Sequence, residues 1–269
     1  MLCLEGVLKK QIALNIALFL GLVLGSGLSA SAIDIYGEEL SINVDFTYAS
    51  KYMWHGFDTF DNDGAFHPSV EFGYKDFYAG VWGAWPDTSG FEDLTEIDFY
   101  LGYDHAFFEE EWYSLSVGVV YTYFSFPKLN SQIDGQEIGL SFTFDQLLPI
   151  GPSVLVPSYT VYYEWDGIQS EEAIDNGFYH TFALGYDVPI PALLPEQEEQ
   201  AISLMADVTY GDGPYDTASG FLYATVGAST TFEWNNFYLT PAVYYQFSFD
   251  DSVNDEDDLY TLISIGYSF

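Results

Sequence analysis

Residues 259–269, which end the chain on a phenylalanine, alternate between mostly apolar side chains and mostly small or polar ones. Ile263 and Ile265 fall on one side of this run, and Ser264 and Gly266 fall on the other. Because successive side chains of a β-strand point to opposite faces, the alternation predicts a strand with one apolar face and one polar face. A strand of this kind needs a sheet that meets an apolar medium on one side and water on the other.

Eleven further segments of the chain have a similar length and alternation, and turn residues separate them. Together the segments span residues 41–54, 67–74, 77–86, 94–105, 112–125, 136–145, 154–165, 177–188, 201–211, 221–234, 237–248 and 259–269. Strands of about ten residues with alternating hydrophobicity are typical of a membrane barrel. The sequence therefore predicts an all-β fold, a transmembrane antiparallel up-and-down β-barrel of about 12 strands, with about 10 or about 14 strands as alternatives.

The connections between these segments alternate between two kinds. One kind is short or contains proline, and the other is longer on average, rich in glycine and acidic. Short periplasmic turns and longer outer loops are the rule for outer-membrane barrels, so this alternation supports the strand count. The pairs Lys75-Asp76 and Asn235-Asn236 fit two-residue hairpin turns and fix which side chains of the adjoining strands share a face.

Apolar residues recur on one side of the strands and predict a lipid-facing belt. The belt comprises Ile97, Phe99, Leu101, Leu115, Val117, Val119, Ile138, Leu140, Phe142, Phe182, Leu184, Ile263 and Ile265. Aromatic residues gather at the ends of these runs, as in the aromatic girdles of membrane barrels. Pro157 and Pro241 fall inside strand segments. Because proline cannot donate a hydrogen bond to the ladder, a bulge is expected at each.

The N-terminus predicts export. Two lysines precede an apolar stretch over residues 12–24, and an Ala-Ser-Ala cleavage site follows at residues 30–32. These features predict a secretory signal peptide over residues 1–32, followed by an outer-membrane β-barrel domain over residues 33–269. Cys3 lies within the predicted signal, so the mature chain has no cysteine for a disulfide, for thiol chemistry or for a metal site. The predicted location is the outer membrane of a Gram-negative bacterium.

Five stretches in the first half of the mature chain resemble a proteobacterial family. They are Ser50-Lys-Tyr-Met-Trp-His-Gly-Phe57, Ala65-Phe-His-Pro-Ser-Val70, Asp76-Phe-Tyr-Ala-Gly-Val-Trp-Gly-Ala84, Glu96-Ile-Asp-Phe-Tyr-Leu-Gly-Tyr103 and Ser116-Val-Gly-Val-Val-Tyr-Thr-Tyr123. The family is that of the uncharacterised Gcw-type hypothetical proteins, which are predicted outer-membrane barrels. The resemblance implies the same fold and location, and it implies no activity. The family usually has an arginine before the glycine of the first stretch, where this chain has His55.

The chain is strongly acidic. It has 41 acidic residues, five lysines and no arginine, for a formal net charge of −36 at pH 7. Nucleic acid and anionic phospholipid headgroups are therefore poor partners, and cations are favoured. Adaptation to a saline habitat would give the same composition, because salt screens the repulsion between like charges. The composition leaves both interpretations open.

The other predicted partners follow from the membrane setting. Outer-membrane lipid and lipopolysaccharide are expected around the barrel. The last strand resembles the signal that the barrel-assembly machinery reads, so this machinery is expected to bind it. Small cationic or neutral solutes are the expected cargo, and the oligomeric state stays open.

Residues on the polar side of the strands predict the lining of the lumen. Those singled out as pore-lining are Asp45, Lys51, Glu71, Trp82, Glu96, Asp98, Tyr100, Glu164, Asp187 and Asp207. Rings of Asp and Glu without compensating arginine attract cations. The predicted function is therefore a porin-like conduit for small solutes with a cation preference. The alternative is a filled structural or adhesion barrel with acidic cation-binding loops, because twelve strands fall between the small filled barrels and the large open ones.

No catalytic site is predicted. An outer-membrane lipid-modifying enzyme, the less favoured alternative, would carry a nucleophile two residues after a histidine on an outward strand. His180 is followed there by Phe182, which has no nucleophilic group. The sequence therefore predicts that the protein is not an enzyme.

Metal and cofactor binding is only weakly indicated. His55 and His67 flank an acidic loop that contains Asp61 and Asp63, and these four residues are the candidates for a divalent-metal site. The loop does not match the spacing of ligands in a Ca²⁺ loop. Beyond this, the only expected ions are Ca²⁺ or Mg²⁺ at acidic outer loops such as residues 250–258, and no cofactor is predicted.

Overall fold

The computed structural model describes residues 33–35, 38–129, 133–168, 176–195 and 197–269, and the predicted signal peptide lies outside them. Twelve long strands build the fold. They are β1 (Glu38–Ala49), β2 (Ala65–Tyr74), β3 (Phe77–Pro86), β4 (Glu96–Phe107), β5 (Leu115–Ser125), β6 (Gly135–Thr143), β7 (Ser153–Asp166), β8 (Gly177–Ile190), β9 (Gln200–Asp212), β10 (Gly220–Ser229), β11 (Phe237–Ser248) and β12 (Asp258–Ser268).

Each long strand pairs antiparallel with its neighbours in the chain, and β12 pairs with β1, so the sheet closes into a barrel. The predicted fold class, a 12-stranded antiparallel barrel, is confirmed. Both predicted two-residue turns are present, because Tyr74 pairs with Phe77 and Trp234 pairs with Phe237. The first turn residue of each hairpin has a positive φ. Closure satisfies the backbone groups that an open sheet would leave at its edges.

The outer face of the barrel is apolar and exposed. Leu101 is 57% exposed, and Phe182 and Ile263 are each 53% exposed. The predicted belt residues that are large and exposed are Phe99, Leu101, Val119, Ile138, Leu140, Phe182, Leu184 and Ile263. Soluble monomers rarely expose an apolar surface of this extent, whereas the lipid-facing band of a membrane barrel consists of one. Among the described residues, no helix is long and apolar enough to cross a membrane.

Two strands end earlier than the sequence predicts. β1 ends at Ala49 rather than at residue 54, and residues 50–64 leave the barrel wall. β10 ends at Ser229 rather than at residue 234, and Phe232–Trp234 forms a separate short strand that pairs with β11.

The bulges expected at the two prolines are absent from the described strands. Pro157 pairs with Leu184 and Pro241 pairs with Ile263, without a shift of register. Each proline lies just beyond the last paired residue of the strand on its other side, and its carbonyl points to that side. The missing N–H points the same way, to a place where the neighbouring strand has ended. Proline therefore costs no ladder bond at either position, and the prediction of bulges is wrong.

Candidate functional site in the barrel interior

Residues 50–64, named here the inner loop, fold into the barrel from the end that carries the longer connections. Met53–Trp54 and Phe57–Asp58 pair as a short hairpin inside the barrel. His55 and Gly56 form its turn, and both have a positive φ. The segment that was predicted to extend β1 therefore becomes a filling of the interior.

Two polar contacts tie the inner loop to strands next to the closing seam. Gln246 of β11 donates from Nε2 to the carbonyl oxygen of Gly56 over 2.7 Å. Lys51 forms an ion pair with Asp258 of β12. Gln246 is 1% exposed and Asp258 is 2% exposed, so water does not compete with these contacts. Phe60 of the inner loop is also fully buried.

Gly56 lies where a side chain does not fit. A Cβ atom at residue 56 would lie 2.4 Å from Cδ1 of Tyr223 and 2.9 Å from Cγ1 of Val253, and its φ is +93°. Both neighbours are buried, so neither has room to move away. We expect Gly56→Ala to lower the free energy of unfolding by about 2–4 kcal/mol, from overpacking and backbone strain together.

Urea unfolding of the refolded protein in detergent measures this loss. Gly90→Ala is the matched control, because Gly90 has a φ of +118° and nothing lies within 4 Å of its added Cβ. The control should lose only the part that comes from backbone strain. Equal losses in the two variants would show that the packing against Tyr223 and Val253 is not tight.

Two acids of β4 lie beside the inner loop. Tyr52 donates from Oη to Oε2 of Glu96 over 2.8 Å. Burial, followed by the charges of Glu96 and Asp98, raises the pKa of the Tyr52 phenol well above its usual value, so this group remains a hydrogen-bond donor. A cavity of about 270 Å³ adjoins this contact, and its lining includes Tyr52, Trp54, Glu96, Phe124, Phe126 and Tyr215.

His55 reaches two further acids on neighbouring strands. Glu137 of β6 and Glu164 of β7 lie directly opposite each other in register. Nε2 of His55 is 2.7 Å from Oε2 of Glu137 and 3.4 Å from Oε1 of Glu164. The imidazole stacks on the ring of Tyr179, with 4.2 Å between centroids and 6° between planes. This stacking fixes the plane of the imidazole, and the contact with Glu137 directs Nε2 within that plane.

The strand register shows which face of the sheet carries these acids. A run of directly opposite residues crosses β2 to β7 and comprises Glu71, Gly80, Tyr100, Thr122, Glu137 and Glu164. Directly opposite residues of neighbouring strands share a face. Because the other face carries the exposed apolar residues, this face is the barrel interior.

The interior acids differ in their access to water. Five acids near the longer connections are at most 6% exposed, and they are Glu96, Asp98, Glu137, Glu164 and Asp258. Closer to the short turns, Asp45 and Glu71 are half-buried and Asp104 is exposed. The described part of the interior is therefore filled at the long-loop end and wet at the short-turn end.

Most of the residues predicted to line a lumen lie on the interior face of strands. They are Asp45, Glu71, Trp82, Glu96, Asp98, Tyr100, Glu164, Asp187 and Asp207. Lys51 lies in the inner loop instead, because β1 ends before it. Asp187 is exposed near the short turns and Asp207 is half-buried.

The four residues predicted as metal candidates do not come together. His67 stays in the wall on β2 and stacks on Trp82, with 4.7 Å between centroids. His55 is carried inward by the hairpin turn and contacts acids of β6 and β7 instead. Asp61 is exposed and Asp63 is half-buried within the inner loop. A grouping of both histidines with these acids is therefore corrected, because the inward turn separates them.

His180 lies on the outer face of β8. Its Nδ1 atom is 2.8 Å from the hydroxyl of Tyr159, and Phe182, two residues on, is 53% exposed. Phe182 has no nucleophilic group, so the position two residues after the histidine supplies no nucleophile. That the protein is not an enzyme stays a prediction.

These features define a class of protein, a closed 12-stranded β-barrel with an apolar outer face and an acidic, partly filled interior. No family model and no curated protein matches the chain. Among solved structures, the chain is similar to the NanC porin (8% identity, 84% of this chain and 98% of that chain, TM-score 0.49). It is also similar to the COG4313 outer membrane channel from Pseudomonas putida F1 (7% identity, 90% and 99%, TM-score 0.49). A third similar structure is the beta domain of the Bordetella autotransporter Brka (10% identity, 86% and 98%, TM-score 0.44). No activity follows from these likenesses.

Proposed function

We propose that the chain is an outer-membrane, porin-like conduit for small cationic or neutral solutes, and that the inner loop keeps its long-loop end closed. One observation carries the proposal. Acids lie on the interior face of most strands, whereas Lys51 is the only lysine or arginine that the described part of the chain places inside. Lys75 and Lys128 lie in connections between strands. Carboxylates without nearby cationic side chains favour the entry of cations.

The acids of the wet part are held by neutral groups, which supports a cation preference. Tyr238 donates to Asp45 over 2.9 Å, and Tyr100 donates to Glu71 over 3.1 Å. A phenol orients a carboxylate without cancelling its charge. A cation about 4 Å from one such carboxylate gains about 1 to 4 kcal/mol, for effective dielectric constants between about 80 and about 20.

The outer-membrane location draws its support from the outer face of the barrel. Its apolar belt suits lipid, and Trp234, Phe237 and Tyr267 pack together near the short turns, where an aromatic girdle is expected. Lipopolysaccharide and the barrel-assembly machinery are the partners proposed for such a barrel. The signal peptide and the resemblance to the Gcw-type family stay predictions.

Removal of acids from the wet part should weaken the cation preference. We expect the combined variant Asp45→Asn, Glu71→Gln, Asp104→Asn to lower the cation-to-anion permeability ratio about tenfold, because a loss of about 1.4 kcal/mol of attraction is a factor of ten. Reversal potentials across a planar bilayer in a KCl gradient measure the ratio. Where the inner loop keeps the conductance too low, the same substitutions are measured in the loop-replaced protein described in the Discussion.

The matched control removes three acids from outside the interior. Glu109, Glu110 and Glu111 form an exposed turn between β4 and β5, and their conversion to glutamine should leave the ratio unchanged. An anion preference of the unaltered protein would contradict the proposal. An equal effect of both triple variants would show that the overall charge, and not the interior face, sets the selectivity.

A filled structural or adhesion barrel is a second candidate, and the burial at the long-loop end favours it. Phe60 and Leu222 are fully buried there, together with Val253 at 6% exposure. The two candidates differ in one respect. A conduit gains conductance when the inner loop is replaced, and a filled barrel whose strand side chains close the interior does not.

A further inference from the structure

A compact group of metal-ligand types lies inside the barrel. Among the described residues, His55, Glu137 and Glu164 bring one imidazole nitrogen and two carboxylate oxygens within 4.8 Å of one another. Their side chains are 12%, 8% and 2% exposed. The three residues come from the inner loop, β6 and β7, so the group exists only because the loop folds inward.

The carboxylate of Glu164 is buried without a well-formed hydrogen bond. Both of its oxygens are buried, and although the phenol of Tyr215 and the carboxyl of Glu137 lie beside it, no described residue reaches either oxygen with good hydrogen-bond geometry. Its nearest basic atom is Nε2 of His55, at 3.4 Å, and that nitrogen is closer to Glu137. A buried carboxylate without hydrogen bonds is strongly disfavoured, because it loses its hydration and gains nothing in return. A cation beside Glu164 would compensate the buried charge better than the Tyr215 phenol and the imidazole at 3.4 Å do.

The charges of the group point to a dication. A neutral imidazole and two carboxylates carry a net charge of −2, and one divalent ion brings the total to zero. A protonated imidazole would leave one negative charge uncompensated in a buried place. The stacking on Tyr179 fixes the plane of the His55 ring and Nε2 already lies beside both carboxylates, so little ordering remains to be done when an ion binds.

We propose that His55, Glu137 and Glu164 bind one divalent transition-metal ion of the Zn²⁺ class. Imidazole with carboxylates suits Zn²⁺ and its neighbours in the first row, whereas Mg²⁺ and Ca²⁺ prefer oxygen ligands alone. Ligand atoms about 2.0–2.2 Å from a tetrahedral ion lie about 3.4 Å apart. The two spacings from Nε2, 2.7 Å and 3.4 Å, and the limit of 4.8 Å for the whole group require changes of up to about 1.4 Å to reach this geometry.

Binding of the ion would link the inner loop to β6 and β7 through coordination bonds. The inference about binding does not depend on conduction, because the ligands are defined by their own geometry. A ligand that binds only the folded arrangement stabilises it by mass action. The ion should therefore hold the hairpin turn at His55 in its inward position.

Calorimetric titration with Zn²⁺ tests the site. The full chain is refolded in detergent, stripped with a chelator and titrated in the presence of excess Mg²⁺, which occupies the many loose cation sites of a chain with a net charge of −36. We expect one tightly bound Zn²⁺ per chain. Loss of an outer-shell partner already lowers metal affinity about 10–100-fold, so Glu164→Gln should weaken binding by at least about 100-fold.

Two further variants keep the test decisive. His55→Arg leaves a positive charge between the two carboxylates, so the chain should fold, and it should bind no Zn²⁺ at this site. Asp207→Asn removes another interior acid, on β9, and should leave the affinity unchanged. The proposal is overturned if Zn²⁺ does not saturate at one per chain under excess Mg²⁺. It is also overturned if the folded His55→Arg and Glu164→Gln proteins bind Zn²⁺ as tightly as the unaltered chain.

Discussion

Replacement of residues 51–63 by a short glycine-serine turn is expected to raise the conductance of the refolded barrel about tenfold or more. In the intact chain these residues place Phe60, fully buried, and Tyr52, 6% exposed, inside the barrel. Ions do not pass through packed aromatic rings. A fall of about 1.4 kcal/mol in the barrier to ion passage is a factor of ten in rate. An ion that has to lose its hydration among packed aromatic rings meets a larger barrier than this.

The barrel should survive this replacement. Its strands are joined by backbone pairing around a closed sheet, and the inner loop contributes no strand to that sheet. Glu96 loses its bond from Tyr52, and Glu137 loses its contact with His55. Water enters with the opening of the lumen and hydrates both carboxylates. The loss of the loop therefore does not leave these charges buried and unpaired.

Single-channel recording in planar bilayers measures the conductance of both proteins in the same salt. The matched control shortens the exposed turn at residues 109–112, at the opposite end of the barrel, and should leave the conductance unchanged. If the loop-replaced protein folds and conducts no more than the intact chain, side chains of the strands themselves close the lumen. That result would favour the filled barrel over the conduit.

The strand wall could be predicted from the sequence because two independent constraints agree. The turns Lys75-Asp76 and Asn235-Asn236 set which residues share a face, and the hydrophobic alternation sets which face is apolar. The observed pairs Tyr74–Phe77 and Trp234–Phe237 follow from the turns alone. Local chemistry of this kind fixes register, and register fixes the interior face.

The inner loop could not be predicted in the same way. The alternation that begins in β1 continues past Ala49, and Met53–Trp54 is indeed extended. Its partner is Phe57–Asp58 in a separate hairpin and not a strand of the wall. Periodicity reports local extension and carries no information on where an extended segment leaves the wall.

The contact of His55 with Glu137 and Glu164 could not be predicted either, because the sequence does not show that the inner loop folds inward. Parity places Glu164 on the inward face, and the observed register places Glu137 directly opposite it. His55 lies 82 positions before Glu137 in the sequence, on a segment whose inward course the sequence does not signal. The inward course follows from the turn at His55 and Gly56, where both residues have a positive φ. This turn packs beside the buried side chain of Tyr223 of β10.

The lipid-facing position of the outer belt leads to the second large effect, a loss of stability in Leu101→Arg. Leu101 lies in the middle of β4 and is 57% exposed. An exposed leucine of a soluble protein is replaced within about 0.5 kcal/mol. An arginine on the lipid face near the midplane of a bilayer costs about 2–4 kcal/mol. We expect the larger value, measured by urea unfolding of the protein folded into phospholipid vesicles and followed by tryptophan fluorescence.

Ile168→Arg is the control that separates lipid from water. Ile168 is 79% exposed and lies in the long connection after β7, outside the belt, so its replacement should stay within about 0.5 kcal/mol. Phe182→Arg repeats the test on β8, four strands away from β4, and its loss should add to that of Leu101→Arg. A combined loss of about 4–8 kcal/mol approaches the whole stability of a typical protein and should prevent stable insertion. If Leu101→Arg and Ile168→Arg had the same small effect on stability, the belt would lie in water. The basis for a membrane location would then be lost.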